Sequence, residues 1–331
     1  MTNKKKILKI AVALLMCVLT VISFVLYREL KKVYDYEEKS SIAMGTVVTQ
    51  KLYGEKAKSS IAYVGGIIDA LEGLISYRQE DSAVYQLNKK GGVTNSDVAK
   101  IIAECNKVSA DSKGKFDITV GEISQLWGIG TENEKVPSQI EIQRAIKKAG
   151  YENVKIKGDT VSLESSCRVD LGAVGKGAAC DMIKSYLETT DLKGAVVSVG
   201  GSILCYGSRN KAGDKWSVAI QHPRKENELL GVLHLDEGFV STSGDYERYF
   251  EKDGKRYHHI FDAETGYPSE SGLVSVTVVC DNGLLSDALS TACFVLGKDE
   301  GMKLAEKYGA SAVFVDESLE CYLVGEIDFE R

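Results

Sequence analysis

The feature that most restricts this chain is an uncharged run from Ile10 to Tyr27, IAVALLMCVLTVISFVLY, set behind Lys4, Lys5, Lys6 and Lys9. As a helix it would reach about 27 Å, enough to cross a hydrocarbon core with little tilt. The run ends in Val25-Leu26-Tyr27 and Arg28 with no small-x-small cleavage site, so it reads as an uncleaved membrane anchor. Cys17 follows Met16, which is not the small residue a lipidation site needs. The lysines favour a cytoplasmic start and a body outside the cytoplasm, by a thin margin because Arg28, Lys31 and Lys32 crowd the other flank.

The rest of the chain is of a different kind. Of 331 residues, 41 are Lys or Arg and 47 are Asp or Glu; less the four N-terminal lysines, the remainder holds 37 bases and a net charge of −10. An acidic body argues against a general nucleic-acid binder. Eight cysteines, none in CxxC spacing, remove zinc ribbons, thioredoxin motifs and haem attachment and read as a reduced, mostly buried set.

Four stretches follow from this: a basic flank at 1–9, the anchor at 10–27, a charged and unpatterned tether at 28–43, and one catalytic domain over 44–331. Helices and strands mix through the body. Thr46 to Leu52 alternates like a strand, and Ala57 to Ile75 is apolar at helical spacing. Val98, Ile101, Ile102, Cys105 and Val108 make a helical stripe behind a Ser96 cap. Ser138-x-x-Glu141 is a capping box for a helix that stops at Gly150. Hairpins turn at Gly158-Asp159 and Asp253-Gly254. Strands recur near 195–199, 202–206, 216–220, 229–235, 239–243 and 274–279, with helices at 177–189, 284–296 and 299–308. Strands interrupted by unevenly placed helices indicate an α+β fold rather than a doubly wound sheet.

Several motifs hold possible chemistry. Gly172-Ala173-Val174-Gly175-Lys176-Gly177 fails as a P-loop, since Gly177 stands where Ser or Thr should hold the metal, yet it precedes a helix whose start suits an anion. Taken alone it reads more readily as a tight turn with a solvated lysine. Asp287 and Thr291, four apart on a helix, share one face and offer the hard oxygens that Mg²⁺ prefers. Taken alone, the pair is better explained by an N-cap at Ser286 or Asp287 with Thr291 bonding back to the helix. His258 and His259 on a strand point to opposite faces, so one at most enters a given site.

Together these pieces resemble one family. In order the chain shows Met44-Gly45-Thr46, Ser76-Tyr77-Arg78 with Leu87-Asn88, Phe116-Asp117-Ile118-Thr119-Val120-Gly121 with Leu126-Trp127-Gly128, and Asp170 to Gly177 with Asp181. Val199-Gly200-Gly201, Gln221-His222-Pro223-Arg224, Thr242-Ser243-Gly244-Asp245-Tyr246, His259-Ile260-Phe261-Asp262 and Ser286 to Thr291 follow. This order is similar to that of the ApbE-like FAD:protein FMN transferases over essentially all of 44–325.

The resemblance implies a T-fold-like α+β domain, extracytoplasmic, that uses Mg²⁺ to split FAD; the anchor read at 10–27 would hold it at the cell membrane. FMN would pass by a phosphoester bond to a Thr or Ser of an acceptor protein, such as a membrane-associated redox protein, with release of AMP. It also implies that Met44, Tyr77, Lys115, Phe116, Asp117, Asp170, Lys176, His259, Ile260 and Phe261 line the FAD site. Ala173 (through its main-chain oxygen), Asp287 and Thr291 would hold Mg²⁺, with His259 as base or hydroxyl positioner and Asp287 able to share that role. Two departures stand out: Ala263 where Pro usually follows Asp262, expected to loosen that turn, and Glu122 where Pro is frequent. Two other readings remain open at this level: an FAD pyrophosphatase using the same site with water, and a tethered FAD-binding module without turnover.

Overall fold

The computed structural model describes residues 16, 18–24, 34–164 and 166–331. The basic flank and most of the expected anchor lie outside the described residues. Residues 18–24 are helical and exposed, and among the described residues no helix is long and apolar enough to cross a membrane.

An eight-stranded antiparallel sheet forms the centre. Its strands follow chain order across the sheet: Tyr36–Ala43, Thr46–Tyr53, Gly194–Val199, Ser202–Gly207, Gly238–Gly244, Leu273–Cys280, Ser311–Asp316 and Cys321–Val324. Successive side chains alternate between two cores. On Ser311–Asp316, Ala312 and Phe314 enter the main core under the helices, while Val313 and Val315 enter a second core on the other face. That second core is closed by a small sheet of Trp216–Gln221, Leu229–Leu235 and Asp328–Glu330. Leu273–Cys280, the sequence LVSVTVVC, is buried on both faces for most of its length, which explains its apolar, β-branched character.

Over the main core lie the helices Ala57–Ile75, Gly175–Leu187 and Gly283–Leu296. The last is buried nearly all round, so the polar residues on it need a reason to be there. A third cluster gathers Ile123, Trp127, Ile142, Ala145 and Phe261.

Three expectations need correction. The stretch read as a tether folds, from Tyr36 to Ala43, as an edge strand paired residue for residue with Thr46–Tyr53. Its burial is almost nil, so it carries no apolar alternation, and Glu37, Glu38 and Lys39 supply the charge that protects an edge. The cap expected at Ser96 is Asn95, whose side chain accepts from the Asp97 and Val98 amides. The capping box at Ser138 and Glu141 is present, but its helix ends at Ile146, short of Gly150. Elsewhere both hairpins turn where expected, and Cys105, Cys180, Cys205 and Cys293 are buried thiols, with burial pushing their pKa values up.

Candidate active site

A cavity of about 550 Å³ opens where the helix starts, the hairpin turns and the Trp127 cluster meet. Every site residue named from the sequence lines it: Met44, Tyr77, Lys115, Phe116, Asp117, Asp170, Ala173, Lys176, His259, Ile260, Phe261, Asp287 and Thr291.

One wall is made by two helix starts in backbone contact. A Cβ on Gly177 would lie 2.0 Å from the Gly283 carbonyl oxygen, so only glycine permits this approach. Asp181 accepts from the Gly283 and Leu284 amides, both at 2.7 Å, and so ties the first helix to the N-terminus of the second. This brings Asp287 to Lys176: the carboxylate Oδ2 accepts from the Gly177 amide at 2.9 Å and lies 3.7 Å from Lys176 Nζ. Thr291 Oγ1 lies 3.1 Å from Ser243 Oγ on the neighbouring strand.

His258 and His259 divide as the strand geometry requires. The His258 ring is buried against Phe294; its Nε2 faces the Ser269 carbonyl at 3.0 Å and its Nδ1 accepts from the Ile260 amide. It is a fully partnered structural residue. The ring of His259 lines the cavity, and its Nδ1 lies 3.2 Å from the Arg248 carbonyl. A carbonyl only accepts, so Nδ1 holds the hydrogen and Nε2 keeps a lone pair. Burial, then the positive charges of Arg248 and Lys176, push this imidazole down to about 3. It is therefore neutral at pH 7.

Phe116, Ile260 and Phe261 are largely buried and give the cavity an apolar side; Phe261 packs on Trp127, whose indole donates to the Gly266 carbonyl. Asp117 is engaged internally, accepting from Thr119 and the Tyr151 amide. Burial pushes the Asp117 and Asp170 carboxyls up, against hydrogen bonds that favour the charged form. Lys115 reaches the cavity with its ammonium already paired to Asp262 and Glu264. That pair also answers the concern over Ala263. The turn is held by Lys115, by the Gly266 amide donating to the Asp262 carbonyl, and by burial of Ala263 itself. Glu122 forms ion pairs with Lys148 and Arg168.

Four further charged lining residues were not singled out as site residues: Glu72, Arg78, Glu247 and Arg248. Arg78 donates to the Tyr77 hydroxyl, and Arg248 donates to the Gly45 carbonyl. With Lys176 they bring positive charge to one hollow of an acidic body. Only the tripeptide Ser76-Tyr77-Arg78 could have flagged one of them.

The oxygen set suits a hard cation. Asp287 Oδ1 accepts no hydrogen bond among the described residues, Thr291 offers a hydroxyl, and Ala173 sits in the turn before Lys176. No group of three or more His, Cys, Asp or Glu is placed to hold a metal ion by itself among the described residues. An ion held here would take its other ligands from water or phosphate, which is the habit of Mg²⁺. These residues fit that ion.

Comparisons with known proteins agree with the geometry. A model of the ApbE family matches residues 44–314. An FAD:protein FMN transferase of Escherichia coli K12 is 33% identical over 287 residues, covering 82% of each chain. The ApbE protein of Thermotoga maritima superposes with a TM-score of 0.82 at 32% identity, over 88% of this chain and 97% of that one. The apo flavinyl transferase ApbE of Pseudomonas stutzeri does so with 0.75 at 31% identity, over 90% and 95%. On the match over 44–314, the shared fold and these relatives, this chain belongs to the ApbE family.

Proposed function

We propose that this protein is a Mg²⁺-dependent FAD:protein FMN transferase, tethered to the membrane, that flavinylates a Thr or Ser of an acceptor. The observation that carries the reading is Asp287 and Lys176 meeting at the paired helix starts, in the same cavity as a neutral His259. The names of the relatives supply the reaction class. Ala173, Asp287 and Thr291 would hold Mg²⁺, which when bound supplies neutralisation of the pyrophosphate oxygens.

The remaining steps belong to the chain. Met44 and Tyr77 offer thioether and ring surface to a flat isoalloxazine. Lys176, with Arg78 and Arg248, attracts the diphosphate. His259 Nε2 accepts a hydrogen bond from the acceptor hydroxyl and orients it. The hydroxyl oxygen bonds to the FMN-side phosphorus and releases its proton to solvent, as the bond from that phosphorus to the bridging oxygen breaks and AMP leaves with the electron pair. The apolar run at 10–27 supports a membrane location, with the body outside the cytoplasm and beside membrane-associated redox acceptors.

The test is intact-mass analysis of an acceptor domain after incubation with the protein, FAD and Mg²⁺. A gain of one FMN, abolished by EDTA, is expected. AMP release with no mass gain would transfer the reading to FAD hydrolysis. Tight FAD binding with neither product would leave a storage module.

A further inference from the structure

The turn that presents Met44 has a conformation its sequence does not favour. Ala43 pairs with Thr46, so Met44 and Gly45 are the two central residues of the hairpin, with φ of 51° and 67°. Both lie in the left-handed region, as a type I′ turn requires. The first position suits Asn, Asp or Gly, whereas Met has no side-chain oxygen to stabilise it.

Two side chains from elsewhere grip this turn. Glu72, in the last turn of Ala57–Ile75, accepts the Met44 amide hydrogen on Oε2 at 2.8 Å. Arg248 donates from Nη2 to the Gly45 carbonyl at 3.2 Å. Neither forms an ion pair among the described residues. A carboxylate at a helix C-terminus, on the wall of a cavity that must attract an anion, is badly placed unless it has another task. The Met44 side chain meanwhile reaches the helix start, where its Cε lies 3.0 Å from the position a Cβ would take on Gly175, next to Lys176.

Resting on the flavin-transferase reading, we propose that Glu72 and Arg248 are positioning residues: they clamp the Met44–Gly45 turn and thereby set the flavin contact. Glu72 acts only through Met44, so loss of its side of the clamp weakens binding of the flavin half and spares the adenylate half.

The experiment titrates FAD by flavin fluorescence and AMP by calorimetry against wild type, Glu72→Ala and Glu72→Gln, with kcat at saturating FAD. Glu72→Ala is expected to weaken FAD about tenfold and to leave AMP affinity and kcat within about threefold, since one charge-assisted hydrogen bond is lost. Glu72→Gln, whose amide oxygen still accepts, is expected to stay near wild type. Unchanged FAD affinity in Glu72→Ala overturns the clamp, and so does a parallel loss of AMP affinity. If Glu72→Ala does not fold, Glu72→Asp, whose carboxylate is one methylene short of the Met44 amide, makes the same test with the same two ligands. Failure of the wild-type protein to bind FAD at all overturns the transferase reading, and the clamp with it.

Discussion

The two walls of the cavity are built by opposite means. The wall with Lys176 and Asp287 rests on buried helices in direct backbone contact, where Gly177 and Gly283 leave no space for a methyl group. The wall with Met44 and Tyr77 rests on a turn and a loop, fixed by side-chain hydrogen bonds: distant Glu72 and Arg248 hold the Met44–Gly45 turn, and neighbouring Arg78 holds the Tyr77 hydroxyl. On the proposed reading, the groups that would face developing charge stand on the rigid wall, where positional error is costly. Those that would contact a flat ring stand on the adjustable one. Geometry fixed by packing resists small changes and fails abruptly; geometry fixed by hydrogen bonds fails in steps.

The severest way to break this contrast is Gly177→Ala. The added Cβ would meet the Gly283 carbonyl at 2.0 Å and Asp287 Cβ at 2.8 Å, so a backbone has to move. A loss of about 3 kcal/mol in urea unfolding is expected, with transfer activity gone. If stability and activity both survive, the helix contact is not the rigid element described here.

Asp287→Asn removes charge from the same wall while keeping an oxygen for the Gly177 amide. Turnover should fall by about a thousandfold or more, with FAD still bound. Near-wild-type transfer by this variant would dismiss the cation assignment.

His259 gives a smaller, pH-dependent effect. Unfolded, its imidazole titrates near 6.5; folded, burial and then Arg248 and Lys176 push it down to about 3. Between these values the unfolded chain holds the extra proton, so native stability falls as pH drops from about 6.5 towards 3. Melting curves of His259→Gln across that window should show a shallower acid decline than wild type. Equal slopes would mean that the ring is not held neutral.

Least in size is Met44→Asn, which suits the left-handed turn. It should raise stability by up to about 1 kcal/mol while weakening FAD binding. A gain on both counts would show that the turn wall does not trade stability for a flavin contact.

Much of this was legible along the chain. The hairpin turns, the capping box at Ser138 and the buried strand at 273–280 each follow from local pattern. Met44, Asp170, Lys176, His259 and Asp287 could be named because each sits in a short recognisable motif. The edge strand Tyr36–Ala43 was not legible, because an exposed strand needs no apolar period and its partner supplies the hydrogen bonds. Glu72 and Arg248 were equally silent: their contacts to the Met44–Gly45 turn span 28 and 203 residues and leave no periodic trace.

The sequence by itself determined most element types, the exposed strand Tyr36–Ala43 excepted, together with the alternation that divides the central strands between two cores and the candidate site groups. These depend on side-chain chemistry and on periods of two and 3.6 residues. Only the tertiary structure decided that thirteen dispersed residues line one cavity. It also decided which tautomer His259 holds and what partners the His258 ring takes in the core. Those outcomes depend on which backbone carbonyl or carboxylate arrives from elsewhere in the fold, and spacing along a chain does not encode that distance.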